Sequence, residues 1–291
     1  MDNWDEIRTA FQVARNGTVS GAADVLGVHH ATVIRHIDAL EERLGVKLFQ
    51  RHARGYTATE AGNDLLRVAQ TTDEQFSQLA SRIKGQGAGV SGELTITTLA
   101  AFSSLLMPVI AGLQADYPAL RIRYLTGERL FRLEYGEAHV AIRGGAAPDE
   151  PDNVVQALAT PQMHLVAAES YVAQHGLPKD DADLVNHSFI GTDDPQSRAP
   201  WNSWITQLVP SDRIVFRADE TAVMAEAVIA GAGIGFLPSW IIKDGNFHEV
   251  TEARAEWRTP MWLVTHVDLH RTDKVQAALK AIKQAAKAWD A

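Results

Sequence analysis

The residues with the most chemistry in this chain stand at the start of one short helix. His30, Thr32, Ile34, Arg35 and His36 lie opposite an apolar stripe of Val33, Ile37, Leu40 and Leu44, whose spacing marks a single helical face. An arginine placed there can bind guanine O6 and N7 through two hydrogen bonds. A threonine can donate, accept or touch a thymine methyl, and an isoleucine can only touch the methyl. His29 and His30 can donate to bases or phosphates, or serve as plain surface and capping residues. Adjacent histidines on one helix are poorly arranged to share a metal ion, and no further ligand stands nearby in the sequence. Lys47, Arg51, His52 and Arg54 follow as candidates for phosphate contacts.

The elements around these residues have a recognisable order. Residues 4–16 place Trp4, Ile7, Phe11 and Ala14 on one helical face, with Gly17 as a stop. Ser20 to Leu48 then reads as a short helix capped by Thr18 or Ser20, a turn at Gly27 and a second amphipathic helix from His29 or His30 to Gly45. That is the layout of a DNA-binding helix-turn-helix, in which the start of the second helix meets base edges. Val46–Phe49 and the segment RHARGY (51–56) look like the strands and tip of a wing. Thr57-x-x-Glu60 has the form of a capping box and predicts a long helix. Its stripe of Ala61, Leu65, Val68, Thr72, Phe76, Leu79 and Ile83 suits a dimerising coiled coil, or a helix lying on its own domain.

Lys84 to Gly92 forms a glycine-rich hinge, after which strands alternate with helices. Strands are expected at 94–98, 121–125, 140–142, 154–158, 164–167, 188–190, 214–216, 233–237 and 261–264. Helices are expected at 104–115, 170–175, 221–230 and 272–289, with Pro108 kinking the first or sitting near its start. This alternation predicts an α/β architecture with mainly parallel sheet. Ligands of such sheets bind beyond the carboxyl ends of strands, close to helix N-termini. Thr98, Ala100, Ser103 and Ser104 occupy one such end. Arg143 and Gly144 occupy another, where the guanidinium could pair with a carboxylate or with a structural acid. Thr192 and Thr221 are candidates on the facing subdomain. The glycines at 231, 233 and 235 follow a helix and lack the spacing of a nucleotide loop, so they read as a helix cap and a tight entry to a strand.

The chain has 291 residues, a net charge of −9 and no cysteine. Disulfides and cysteine-ligated metals are excluded, no cofactor is expected, and any DNA affinity must come from local charge. Residues 1–60 hold seven Lys and Arg against eight Asp and Glu, a net of −1. The acidic N-terminus lacks the features of a signal peptide, and the apolar stretch 222–242 is broken by Glu226, three glycines and Pro238, so a cytoplasmic chain without a membrane span is expected. No nucleophile elbow, metal triad or phosphate loop stands in the sequence. An enzyme, or a small-molecule-binding protein using the α/β cleft, is the alternative to a DNA-binding regulator.

AADVLGV (22–28), TVIRHIDALEERLGVKLFQR (32–51) and YTATEAG (56–62) make the chain resemble the LysR-type transcriptional regulators. In the second half YPALRIRYLTG, GEAHVAIRGG, AESYVAQHG and AVIAGAGIGFLPSW extend the resemblance over essentially the full length. It implies an all-α winged helix-turn-helix over 1–57, a dimerising linker helix over 58–85, a hinge over 86–92 and an effector domain over 93–291. That domain would be α/β and similar to type 2 periplasmic binding proteins, with subdomain I at about 93–161 and 267–291 and subdomain II at about 162–266. The implied partners are double-stranded promoter DNA, a small effector (by the chemistry above, a carboxylate) and further copies of the chain, a dimer through the linker helix and a tetramer as a dimer of dimers. The chain departs from the family's usual residues at His29-His30-Ala31, at Ile34, where serine is usual, and at His139, where aspartate is usual.

Overall fold

A computed structural model describes residues 3–52, 55–83, 90–127, 131, 133, 137–194, 197, 199–243 and 245–289. They form two compact units, the first within residues 1–89 and 132–138 and the second within 90–131 and 139–291.

The first unit runs α1 (Trp4–Asn16), α2 (Val19–Leu26), α3 (His30–Leu44), β1 (Phe49–His52), β2 (Gly55–Ala58) and α4 (Glu60–Ile83). Thr18 caps α2 by accepting from the Gly21 amide at 3.1 Å. Gly27 ends α2 at φ 66°, a left-handed conformation that lets the chain turn into α3. Ile7, Phe11, Ala22, Val33, Ile37 and Leu40 are buried in one core. Leu44, the fourth residue of the expected stripe, is instead 40% exposed. β1 and β2 pair antiparallel and form the wing.

Thr57 does not cap the long helix. It is still in β2, paired with Gln50, and the cap falls to Thr59, whose hydroxyl oxygen accepts from the Gly62 amide at 3.1 Å. Gly62 lies so close to β1 that an added Cβ would stand 2.1 Å from the Leu48 carbonyl oxygen, so only glycine permits this approach.

The second unit contains β3 (Gly92–Thr98), α5 (Ser103–Asp116), β4 (Leu120–Thr126), β5 (Val140–Gly144), β6 (Asn153–Ala159), β7 (Met163–Ala168), α6 (Glu169–His175), β8 (Phe189–Thr192), α7 (Pro200–Leu208) and β9 (Ile214–Ala218). It continues with α8 (Thr221–Ile229), β10 (Gly235–Pro238), α9 (Ser239–Ile242), β11 (Phe247–Glu249), β12 (Met261–His266), α10 (Val267–His270) and α11 (Asp273–Ala286). Pro108 falls inside α5. Among the described residues no helix is long and apolar enough to cross a membrane.

The sheets are mixed and not mainly parallel. In the order β4-β3-β5-β12-β6, β3 is parallel to β4 and β5, but β12 is antiparallel to β5 and β6. β12 enters this sheet from the other subdomain, so no right-handed helical crossover constrains it to run parallel. β7 is flanked by antiparallel β10 and β11, and β8 and β9 pair parallel. The chain crosses between the subdomains twice. The crossings are tied by the Gln162–Arg258 bridge and by the Thr259 amide donating to Pro161 O at 3.1 Å.

The second subdomain buries a titrating group. The Ser188 amide donates to the Tyr171 hydroxyl oxygen at 3.0 Å, so the phenol proton points to His187 Nδ1, 3.2 Å away. Burial pushes His187 below its ordinary pKa of 6.5, opposed by Asp183 and reinforced by His175. Because the fold favours the neutral ring, this contribution is complete above pH 6.5 and lost as pH falls below it. The melting temperature should therefore drop on acidification from pH 7 to 5.5. His187→Gln should flatten part of that drop, with His270, which burial also shifts down, responsible for another part.

Candidate nucleic-acid interface and ligand cleft

α3 presents His29, His30, Ala31, Ile34 and Arg35 as exposed residues and keeps Thr32 half-buried. Ile34 is 37% exposed. Arg35 has no carboxylate partner among the described residues. His36 leaves this set. The Thr9 hydroxyl donates to Asp5 O at 2.6 Å, so at 2.9 Å it accepts from His36 Nδ1–H, which ties the imidazole back to α1.

Two of the expected phosphate ligands are also engaged elsewhere. Arg51 bonds Asp38 and, at 3.2 Å, Glu41, and it sits over the Tyr56 ring. The Asp38 carboxylate raises its pKa, and the guanidinium joins wing to recognition helix. Lys47 bonds Glu41 at 2.7 Å but keeps most of its side chain in solvent. His52 is exposed, and Arg54 lies outside the described residues.

Glu41, which sequence reasoning did not single out, gathers these partners. Its buried carboxylate accepts from the amides of Leu48 at 2.9 Å and Phe49 at 3.2 Å as well as from the two cations. Burial raises its pKa, and the bonds from Lys47 and the two amides outweigh that and hold it below the ordinary range. The signal was present. Glu41 follows Ile37 and Leu40 at helical spacing, a position on the core face.

The stripe of α4 serves two purposes. Ala61, Leu65 and Ala69 pack into the unit's own core. Val68 and Phe76 stay exposed, at 54% and 57%, along an apolar groove of about 680 Å³ that Trp4, Leu44 and Val46 also line. The side chains of Leu79 and Ile83 lie outside the described residues.

In the second unit, a 3-10 turn (Ala100–Phe102) connects β3 to α5, and α8 packs against it. Thr98 is fully buried, and its hydroxyl has no hydrogen-bond partner among the described residues. Ser103 accepts from Tyr124, whose own pKa burial raises, and Ser104 is exposed. Across from them the Trp240 ring stands 6.2 Å from Phe102, with its indole N–H buried and unpartnered. Gly144 supports Phe102, since an added Cβ would stand 3.1 Å from its ring. The Thr192 hydroxyl oxygen is used by its own turn, accepting from the Asp194 amide, and Thr221 is exposed at the start of α8.

Arg143 lies on the other face of β5, beside Thr97. It is 9% exposed, has no carboxylate partner among the described residues, and makes only two long hydrogen bonds, 3.3 Å to Thr97 Oγ1 and 3.4 Å to Ile142 O. Burial pushes its pKa down. A buried cation without a counter-charge is costly and chemically suited to an anion.

Residues 4–63 match the family model described as bacterial regulatory helix-turn-helix protein, lysR family. Residues 87–287 match the one described as LysR substrate binding domain. The chain is 26% identical over 242 residues to the HTH-type transcriptional regulator CrgA of Neisseria meningitidis serogroup B, covering 82% of this chain and 81% of that one. It is 28% identical over 250 residues to the HTH-type transcriptional activator IlvY of Salmonella typhimurium, covering 82% and 83%. Among solved structures its fold is similar to ArgP from Mycobacterium tuberculosis, with TM-score 0.69 and 19% identity over 100% of this chain and 99% of that one.

Proposed function

The chain belongs to the LysR family of transcriptional regulators, and from that premise we propose that a small carboxylate, held by Arg143, controls how a homodimer of this protein engages promoter DNA. It is a DNA-binding regulator with an effector-binding domain, and not an enzyme. On this reading the reading head spans 1–57 and the linker helix 58–85, the effector domain follows with the subdomain limits given above, and most of the hinge at 86–92 lies outside the described residues.

The observation that carries the carboxylate is the isolation of Arg143. Thr97 Oγ1, 3.3 Å from the guanidinium on the same face, supplies a neighbouring hydroxyl. Dimerisation through α4 is supported by its exposed Val68 and Phe76 and by the groove beside them. Two weakly charged modules joined in this way gain effective concentration on two half-sites. A tetramer needs a second contact between copies and rests on the resemblance alone. Effector binding would favour one arrangement of protomers and so change the bend imposed on DNA.

The test is a mobility-shift titration on the DNA upstream of the protein's own gene, with and without a panel of small mono- and dicarboxylates. Retardation whose affinity or mobility changes with at least one carboxylate is expected. Retardation that no carboxylate alters, together with a response to neutral or cationic metabolites, would overturn the anionic assignment.

A further inference from the structure

We propose that Ala31 and Ile34 read two thymine methyl groups and that Arg35 beside them reads a guanine, so that each half-site carries two thymines next to a G·C pair. This deepens the DNA-binding reading above and rests on it.

Residues 31, 34 and 35 share one face of α3, at the spacing that places side chains together on a helix, and all three are exposed. Ile34 does not serve the core, which takes Val33 and Ile37 from this helix. Ala31 and Ile34 are separated by about 4.5 Å along the axis, from a rise of about 1.5 Å per residue. Successive bases on a strand rise by about 3.4 Å, so a helix lying obliquely in the major groove brings the two side chains to neighbouring steps.

Their chemistry then limits what they can face. Neither side chain can hydrogen-bond, and the thymine methyl is the only apolar group on a major-groove base edge. Cytosine at the same place would bury its amino group unpaired, which is costly. Arg35 completes the set because it alone among the arginines of α3 and the described wing is unpaired. Arg43 is held by Glu6, and Arg51 by Asp38 and Glu41.

The experiment selects bound duplexes from a random pool with the full-length protein, then replaces each thymine of the selected half-site with deoxyuridine, which removes only the methyl. Two thymines next to a guanine should each show a loss of about fourfold in affinity, the value of one buried methyl-sized group. Ile34→Ser, which should melt like the wild type, should be insensitive at one of these positions, and Ala31→Gly at the other. Equal deoxyuridine losses in wild type and Ile34→Ser, or selected sites without thymine beside the guanine, would overturn the assignment and leave DNA binding intact. A pool with no enriched sequence would overturn the DNA-binding reading and this inference with it.

Discussion

Glu41→Leu will strip hydrogen-exchange protection from the Leu48 and Phe49 amides by on the order of a hundredfold. Both amides donate to this one carboxylate, and both sit in a buried part of the wing. Each buried donor left without an acceptor costs about 1–3 kcal/mol, so the pair should cost about 2–6 kcal/mol of local stability. Lys47 and Arg51 lose an ion-pair partner in the same step, but they remain solvated and add little. Glu41→Gln separates the contributions. It keeps an oxygen for the two amides, presents an NH₂ group to Lys47, and should lose well under half as much protection. The pH dependence follows from the lowered pKa. The contribution is complete above the ordinary carboxylate pKa of 4.5 and disappears as pH falls through the lower value of the folded state. Exchange read at the two amides would contradict this if Glu41→Leu left them as protected as in the wild type.

What could be read from the sequence was mostly local and periodic. The stripe Val33, Ile37, Leu40 placed α3, and the alternation Leu94-Thr95-Ile96-Thr97 placed β3, because each pattern repeats within one element. α7 was not anticipated. It begins at Pro200, carries Asn, Ser and Thr, which are poor helix formers, and has no capping side chain, so its buried Trp204 and Ile205, with the half-buried Trp201, hold it on the core. β11, three residues long, gives no periodic signal at all. The cap at Thr59 in place of Thr57 depends on where β2 stops pairing with β1, which no single segment encodes.

The candidate sites followed the same division. Exposure of Ile34 and Arg35 was foreseeable from the helical face opposite the core. The diversion of His36 to Thr9 and of Arg51 to Asp38 requires partners 27 and 13 residues away. The alternatives for Arg143 were an anion site or a structural ion pair. They could be separated only by seeing which acids the folded chain brings to it, and among the described residues there is none.

Arg143→Met should therefore change stability and ligand response in opposite directions. A buried charge without a counter-ion opposes folding, and an apolar side chain of similar length that fills the same space relieves that cost. Replacements of this kind are often neutral or stabilising, by up to about 4 kcal/mol. An unliganded melting temperature equal to or above that of the wild type is expected. The same substitution removes a buried cation that has no carboxylate partner among the described residues, and losing one partner of a desolvated charged pair costs about 2–5 kcal/mol of binding. Any carboxylate that raises the melting temperature of the wild type should then bind the variant at least thirtyfold more weakly and leave its melting temperature unchanged. Arg143→Lys keeps the charge but loses the planar two-point donor, and it should recover only part of the affinity. If Arg143→Met instead unfolds the second unit, the guanidinium is a structural element, held by Thr97 and the Ile142 carbonyl. If it melts normally and still responds to the carboxylate, the anion is bound elsewhere. The two readouts together distinguish an anion receptor from a packing residue, which neither can do alone.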